Sequence, residues 1–573
     1  MSFCVSKYRG LLLAATFSTL IEFLMGLADG VVAGNLLGET ALGAVNLMQP
    51  PMNLISFFAL LVGTGAAICF SVETGRFERR RAAEMFSMGL WGTLLVGFAL
   101  MAAMLAGRGA FFALMGADDV TCRLAAQYWN WFLPCALLEP VAVLLANACY
   151  ADGDSRLCVV SYICQFVGNC LFSVPLTLAM GISGCALGTL LGNLMAIGVL
   201  SVHFRRPTNT LQIVRHFSFS DLLHIVKISF GDASSRLGNA LLFLLLGRYV
   251  IGHFGSGMLP VLGAAVTVMG LSEAFNGPAN AAQPLVSVYY GEGNSFGIRR
   301  VMSVALKTML AASVALSALL LAFPVLVTRM LGIVDPGLAA AANSAVRFVA
   351  AGMVGLGMVA LFNSYFAFID RGLLSAALTA LSGLLVPLAT FPAFGAWWGV
   401  NGVWLALGVS PLLACAMVAA WLWRREGRAR LPWLLDRRRD ERIAMFDLGL
   451  EPEEVCRASA AVGAALRARG DVAAAARAEL LVEEVFMAVR ERNAGRRVLA
   501  EATVMLEDEP ALVLRDDGEV FDITDADAQI SSLRAYLVAS LMNVQKNRMN
   551  LTTTGYNRNL FKFGKTVEKG KTP

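Results

Sequence analysis

The chain has 573 residues, of which 57% are hydrophobic and only 15% charged, with a mean hydropathy of +0.65. A soluble domain carries about 25% charged residues, so most of this chain is unsuited to water. The formal charge of +5 is small and the basic residues lie mostly between apolar runs, a pattern of membrane topology rather than of nucleic-acid binding. Eleven cysteines are scattered without CxxC spacing and four histidines are isolated, so neither a disulfide framework nor a metal centre is expected.

The first apolar run, preceded by Lys7 and Arg9, is too long for a signal peptide and carries Glu22 and Asp29. It reads as a first transmembrane helix. A carboxylate at bilayer depth costs roughly 2.5–3.5 kcal/mol on insertion scales, so such groups face a bundle interior or a wet cavity and mark an ion or substrate path. Further runs of transmembrane length lie near 44–71, 86–106, 124–149, 157–179 and 184–204. After a polar gap, a second series lies near 223–252, 258–289, 302–330, 338–367, 373–395 and 400–423. Arg76, Arg79–Arg81, Arg205, Arg206, Arg299, Arg300, Arg371 and Arg424 all fall on one side if every helix crosses once. The positive-inside rule then places both ends of the bundle in the cytoplasm.

The two series resemble each other. GISGCALGTLLG (181–192) parallels GVNGVWLALGVS (399–410), ALGAVNL (41–47) parallels VLGAAVT (261–267), and SVETG (71–75) parallels SVYYG (287–291), all at an offset near 218 residues. Six is an even number, so both halves enter the membrane from the same side and the repeats are parallel.

These residues resemble the multidrug and toxic-compound extrusion (MATE) transporters over roughly 10–425. The pieces that carry the resemblance are LADGVVAGNLLGETALGAVNLMQPP, AAQPLVSVYYGEGN and WWGVNGVW. It implies export of organic cations and amphipathic drugs, driven by inward sodium or proton movement. Asp29 falls where the family keeps an acidic residue in helix 1, and Asn169 and Thr189 match polar positions of the same lobe. Ser173 stands where many relatives carry a second Asp, and Leu13, Ala14 and Ala15 replace an early proline, so that any bend is expected at Gly26 or Gly30. The coupling ion, H+ or Na+, is left open. Glu22 is additional, on the face of Asp29 but ~10 Å away along the axis. Glu139, Glu273, Gln283 and Met25 are candidates for the substrate path, and Asp232 and Arg236 are spaced to pair on one helix.

Residues 424–440 form a basic juxtamembrane link, and 441–564 read as helix, helix, strands, helix, strand. This order resembles the histidine-kinase-like (GHKL) ATPase fold of anti-sigma-factor kinases. Glu484 matches its catalytic Glu, Asp516 its adenine-reading Asp, and Gly518 follows. Ala488 stands where a Mg²⁺-binding Asn is expected, and Ser531 and Ser532 replace phosphate-covering glycines. The resemblance implies a degenerate domain that senses nucleotide, with ATP as its ligand, rather than a competent kinase. The GKT at 564–566 lacks the upstream glycine of a phosphate loop.

The expected architecture is therefore an all-α polytopic membrane protein with twelve transmembrane helices in two parallel six-helix repeats, followed by an α/β sandwich. The boundaries are 1–205 (N-terminal lobe), 206–222 (linker), 223–423 (C-terminal lobe), 424–440 (basic link), 441–564 (ATPase-like domain) and 565–573 (tail). The expected function is a secondary antiporter, not an enzyme, in the cell membrane. It would need no cofactor beyond the coupling ion, and a cytosolic regulatory protein is a candidate partner. Competing readings are a flippase for lipids or lipid-linked oligosaccharides and a membrane-anchored signalling protein with a nucleotide-binding domain.

Overall fold

A computed structural model describes residues 2–115, 119–255, 258–331, 333, 335–427, 432–435, 441–506, 509–520, 548–553 and 556–563. The first lobe comprises α1 (Phe3–Leu37), α2 (Glu39–Leu47), α3 (Gln49–Gly75), α4 (Arg79–Met115), α5 (Asp119–Phe132), α6 (Cys135–Ala151), α7 (Ser155–Met180) and α8 (Ile182–Ser201). The second comprises α9 (Phe219–Phe254), α10 (Leu259–Leu271), α11 (Asn276–Glu292), α12 (Ser295–Ala322), α13 (Val325–Met330), α14 (Pro336–Ala351), α15 (Met353–Phe368), α16 (Gly372–Ala380) and α17 (Val386–Glu426).

Every apolar run of the sequence is helical, as backbone groups without access to water require. Seven stretches among the described residues are long and apolar enough for a span, and nine if the bent pairs α5–α6 (51°) and α14–α15 (43°) each count as one. The run expected from residue 44 starts afresh at Gln49, because Pro50 and Pro51 favour a new helical N-terminus. α17 breaks at Trp398 and Gly399, which divides the last two expected runs. α1 passes through Gly26 and Gly30, the positions where any bend was expected, as one uninterrupted helix. A glycine permits a kink but does not impose one.

The duplication is visible in the breaks. Pro134 precedes α6 as Gly352 precedes α15, and the left-handed Gly181 and Gly399 turn the chain at matched positions. Gly184 rests on the Leu176 backbone as Gly402 rests on that of Phe394. Gly75 and Gly291, from the matched SVETG and SVYYG segments, pack against each other: a Cβ on the first would strike the Val288 carbonyl, one on the second that of Val72. Residues beside an axis relating two repeats meet their own counterparts. The same seam brings Gly65 onto the Ile225 carbonyl and Gly277 onto Thr16, and lets the Tyr8 hydroxyl donate to the Pro278 carbonyl at 3.2 Å. These inter-lobe contacts all occupy the half of the bundle that holds the N-terminus, here termed the basal half.

Beyond α17 lies a five-stranded antiparallel sheet of order β1-β2-β3-β5-β4, with β1 Ile443–Gly449, β2 Leu499–Met505, β3 Ala511–Asp516, β4 Arg548–Thr553 and β5 Tyr556–Lys562. α18 (Pro452–Arg467) and α19 (Val472–Arg492) join β1 to β2. The segment opens with a strand where a helix was expected, and its closing strand is a hairpin, β4–β5. The expected helix between strands, with Ser531 and Ser532, and the GKT at 564–566 lie outside the described residues.

Period-two alternation gives this sheet two different faces. Ala502, Val504, Leu512 and Leu514 pack with Val482 and Phe486 of α19. The alternate residues Val513 and Leu560 pack on Phe77 from the α3–α4 turn. Beside them, Arg515 pairs with Glu501 and with Glu292 at the end of α11, all three side chains fully buried. Arg558, over the Phe77 ring at 4.1 Å, reaches Glu292 at 2.5 Å and donates to the carbonyls of Thr74 (3.2 Å) and Gly75 (3.3 Å). Asp447 of β1 accepts from the Phe3 backbone N–H at 2.8 Å and pairs with Arg300 of α12 at 2.5 Å. Losing one partner of a buried ion pair costs roughly 3–5 kcal/mol, so this charged face fits the basal end of the bundle and no apolar surface.

Gly184→Ala should destabilise the protein by roughly 1–3 kcal/mol, because the added methyl lands on the Leu176–Thr177 backbone. Gly198→Ala, which meets nothing within 4 Å, should be neutral or stabilising by up to about 1 kcal/mol. Thermal unfolding in detergent compares the two.

Candidate functional site

Four helices of the first lobe converge on Asp29 of α1. Its side chain is 7% exposed. Thr189 Oγ1 of α8 donates to Oδ2 at 2.7 Å, Asn169 Nδ2 of α7 donates to Oδ1 at 3.3 Å, and the Tyr128 hydroxyl of α5 donates to Oδ2 at 2.5 Å. Asn169 also donates to Thr189 (2.9 Å), and the Ser173 hydroxyl donates to Asn169 Oδ1 (3.2 Å). The lobe permits this convergence because Gly188 and Gly192 of α8 lie against the backbone of α7. Asp29, Asn169 and Thr189, named from the sequence, thus form one site. Ser173 supports Asn169 instead of supplying a second carboxylate.

Tyr128 was not anticipated. It lies in the aromatic run YWNWF, which reads as packing, and its hydroxyl target is 99 residues away in the chain.

Asp29 borders a cavity of about 340 Å³ that also holds Met25, Glu139, Gln165 and Asn193. Ser56 donates to Glu139 Oε1 at 2.7 Å. A second cavity, about 180 Å³, lies on the other lobe and holds Asp232, Asn239, Glu273 and Asn363. Glu22 and Arg236 line both cavities. Arg236 Nη2 lies 3.4 Å from Glu22 Oε1 across the lobes and 4.0 Å from Glu273 Oε2. The expected pairing within α9 is thereby replaced: Asp232 lines the cavity and forms no ion pair with Arg236 among the described residues. Glu273 sits in the single 3-10 turn between α10 and α11 and accepts from Asn276 at 2.8 Å. Gln283 is buried on α11 and lines neither cavity. Four carboxylates, Glu22, Glu139, Asp232 and Glu273, thus line these cavities with Arg236, and Asp29 lies at the edge of the first cavity.

In the α/β domain, an open cleft of about 1400 Å³ runs between β1, α18 and the end of α19. Met487, Arg490 and Asn493 line it, whereas Glu484 and Asp516 do not. Asp516 is buried and accepts from Asn557 Nδ2 (2.8 Å) and from the Gly518 N–H (3.1 Å), with Asn493 close against Gly518. Ala488 is part of the core. Among the described residues, Glu484, Asp516 and Gly518 do not line this cleft.

The MatE family model matches residues 14–174. Solved structures of similar shape include a MATE transporter in complex with MaL6 and a multidrug resistance MATE transporter in an outward-facing conformation. Each is 21% identical with a TM-score of 0.68, and each match covers 73% of this chain and 95% of the other. A MOP superfamily transporter from Pyrococcus furiosus, whose binding pocket is described as reversed in polarity, matches at 20% identity with the same coverage and TM-score. No curated protein sequence matches. The bundle therefore has the fold of MATE transporters, a multi-pass membrane fold. These matches do not extend to the α/β domain as a kinase-like ATPase.

Burial pushes the Asp516 carboxyl up to about 7. The folded chain holds a proton that the unfolded chain releases above about pH 4, so stability from this group falls as pH rises from about 4 to about 7, by at most ~1.4 kcal/mol per pH unit. Asp516→Asn, which keeps the amide oxygen as acceptor, should flatten that slope and protect the domain above pH 7. Hydrogen exchange of the β3 amides, measured on the whole chain, reads it.

Proposed function

We propose that this protein is a secondary antiporter that exports organic cations or amphipathic cationic drugs, with an inward ion moving on Asp29. The carrying observation is a buried carboxylate saturated by donors, at the edge of an acidic chamber between two lobes whose close backbone contacts, among the described residues, lie in the basal half. In this reading the bundle crosses the membrane twelve times, and the basal end, rich in arginine, is cytoplasmic. The chamber is then open toward the exterior, ready to release substrate and take up an ion.

The shell of Asp29 favours a proton over sodium as that ion. Tyr128, Thr189 and the Asn169 amide all present hydrogens to the carboxylate. A sodium ion needs oxygen lone pairs, so the Asn169 side chain would have to turn over, losing the bond from Ser173. A proton on Asp29 needs only a hydroxyl to rotate from donor to acceptor. Protonation removes the charge that these donors hold and loosens the junction of α1 with α5, α7 and α8.

Arg236 sets what the chamber accepts. It is a cation on a tether, shared between Glu22 of one lobe and Glu273 of the other. A cationic substrate replaces it at these carboxylates, while an anion meets a chamber lined by acidic side chains. This polarity speaks for cation export over lipid-linked phosphate flipping.

Asp29→Asn should abolish efflux driven by a pH gradient in everted vesicles while leaving folding intact; undiminished gradient-driven transport in that variant overturns the assignment. Arg236→Gln should lower KM for a cationic substrate by ~2–5-fold, the worth of a half-exposed ion pair. Concentration-dependent uptake of a quaternary ammonium dye checks it.

A further inference from the structure

We infer that the α/β domain is a built-in clamp that holds the basal ends of the two lobes together and so holds the transporter in its outward-open state. The inference rests on the antiporter reading above, in which the chamber must open to each side of the membrane in turn. In that cycle the basal ends must part for substrate to enter from the cytoplasm.

Two separate side chains of the domain each bind both lobes at once. The Arg558 guanidinium donates to the carbonyls of Thr74 and Gly75 in the first lobe and pairs with Glu292 in the second. The Asp447 carboxylate accepts from the Phe3 N–H in the first lobe and pairs with Arg300 in the second. Neither can keep both sets of partners if the lobes separate. The first staple is placed directly over the seam where Gly75 meets Gly291.

The staple at Arg558 is sealed from water: Glu292, Arg515 and Arg558 are fully buried. Parting the lobes would leave a charge there in a dry pocket with a partner missing, which a buried ion cluster resists far more than a surface pair does. The sheet also supplies an apolar wedge, Val513 and Leu560 on Phe77, in the same place. The contact is thus specific for one arrangement of the lobes. An appended domain that merely hung from α17 would need no buried charge matched to residues of α3 and α11.

The test uses the whole chain in proteoliposomes, with spin labels carried on unnatural residues at positions 80 and 296, exposed sites at the basal ends of α4 and α12. Distances are measured in Arg558→Ala, in the milder, near-isosteric Glu292→Gln, and in Arg467→Ala. The last of these breaks only the pair with Glu479 inside the domain. If the clamp operates, the first two variants raise the long-distance, basally open population at least ~10-fold over the wild type, and Arg467→Ala leaves it unchanged. An unchanged distribution in folded Arg558→Ala and Glu292→Gln overturns the clamp, as does an equal shift in Arg467→Ala. Should Arg558→Ala fail to fold, Glu292→Gln decides alone. The distances require no substrate, so a shift without any solute movement upholds the clamp and counts against the antiporter reading, whereas transport with unshifted distances does the reverse.

Discussion

A charged carboxylate has no place against acyl chains, and this bundle holds five of them at the depth of its apolar helices. That cost, of order 2.5–3.5 kcal/mol for each lipid-facing group, dictates much of the arrangement. Asp29 is withdrawn into one lobe and given three donors. Glu22, Glu139, Asp232 and Glu273 are turned toward the space between the lobes and share one arginine there. The two lobes consequently cannot close on each other along their full length. They seal through small residues in the basal half, where backbone meets backbone at Gly65, Gly75, Gly277 and Gly291, and leave a polar chamber above.

The proposed coupling rests on the difference between these two treatments of a carboxylate. In the proposed mechanism the three donors tie α1 to α5, α7 and α8 through Asp29, so that its protonation loosens several helices at once, the property of a switch. The half-exposed Glu22–Arg236 pair is weak and exchangeable, the property of a binding site. In the proposed cycle, burial makes the protonation of one group consequential, and the wetness of the other lets its partner be replaced. The basal domain adds a third treatment, in which Glu292, Arg515 and Arg558 are buried in full charge pairing and specify one geometry of three separate parts of the chain.

Much of the transmembrane half could be read from the chain alone. The apolar runs, the offset near 218 residues and the acidic residue in the first run all reappear as helices, matched breaks and the Asp29 site. Hydropathy and small-residue motifs are local and survive without knowledge of packing. Breaks set by Pro50, Pro134 and Gly399 were less legible, because the same residues are tolerated inside membrane helices. Tyr128 escaped notice because a tyrosine among tryptophans and phenylalanines looks like packing until the position of its hydroxyl is known. In the α/β domain, helices with clear periodicity were found, but β1 was missed and β4–β5 merged. Short strands carry little signal, and half of this sheet's pattern is charged on the face that meets the bundle.

Sequence by itself determined that this is a multi-pass helical protein of two like halves with an ionisable group in its first span. Length, hydropathy and repetition are properties of the unfolded chain, and the bilayer turns them into structure with few alternatives. Tertiary structure alone decided which donors surround Asp29, that Arg236 leaves Asp232 for Glu22 and Glu273, and that Arg558 and Asp447 reach both lobes. Those outcomes depend on pairings between residues 37 to 484 positions apart in the chain. Their energies come from desolvation and geometry at the point of contact, and neither is encoded in the spacing of residues along the chain.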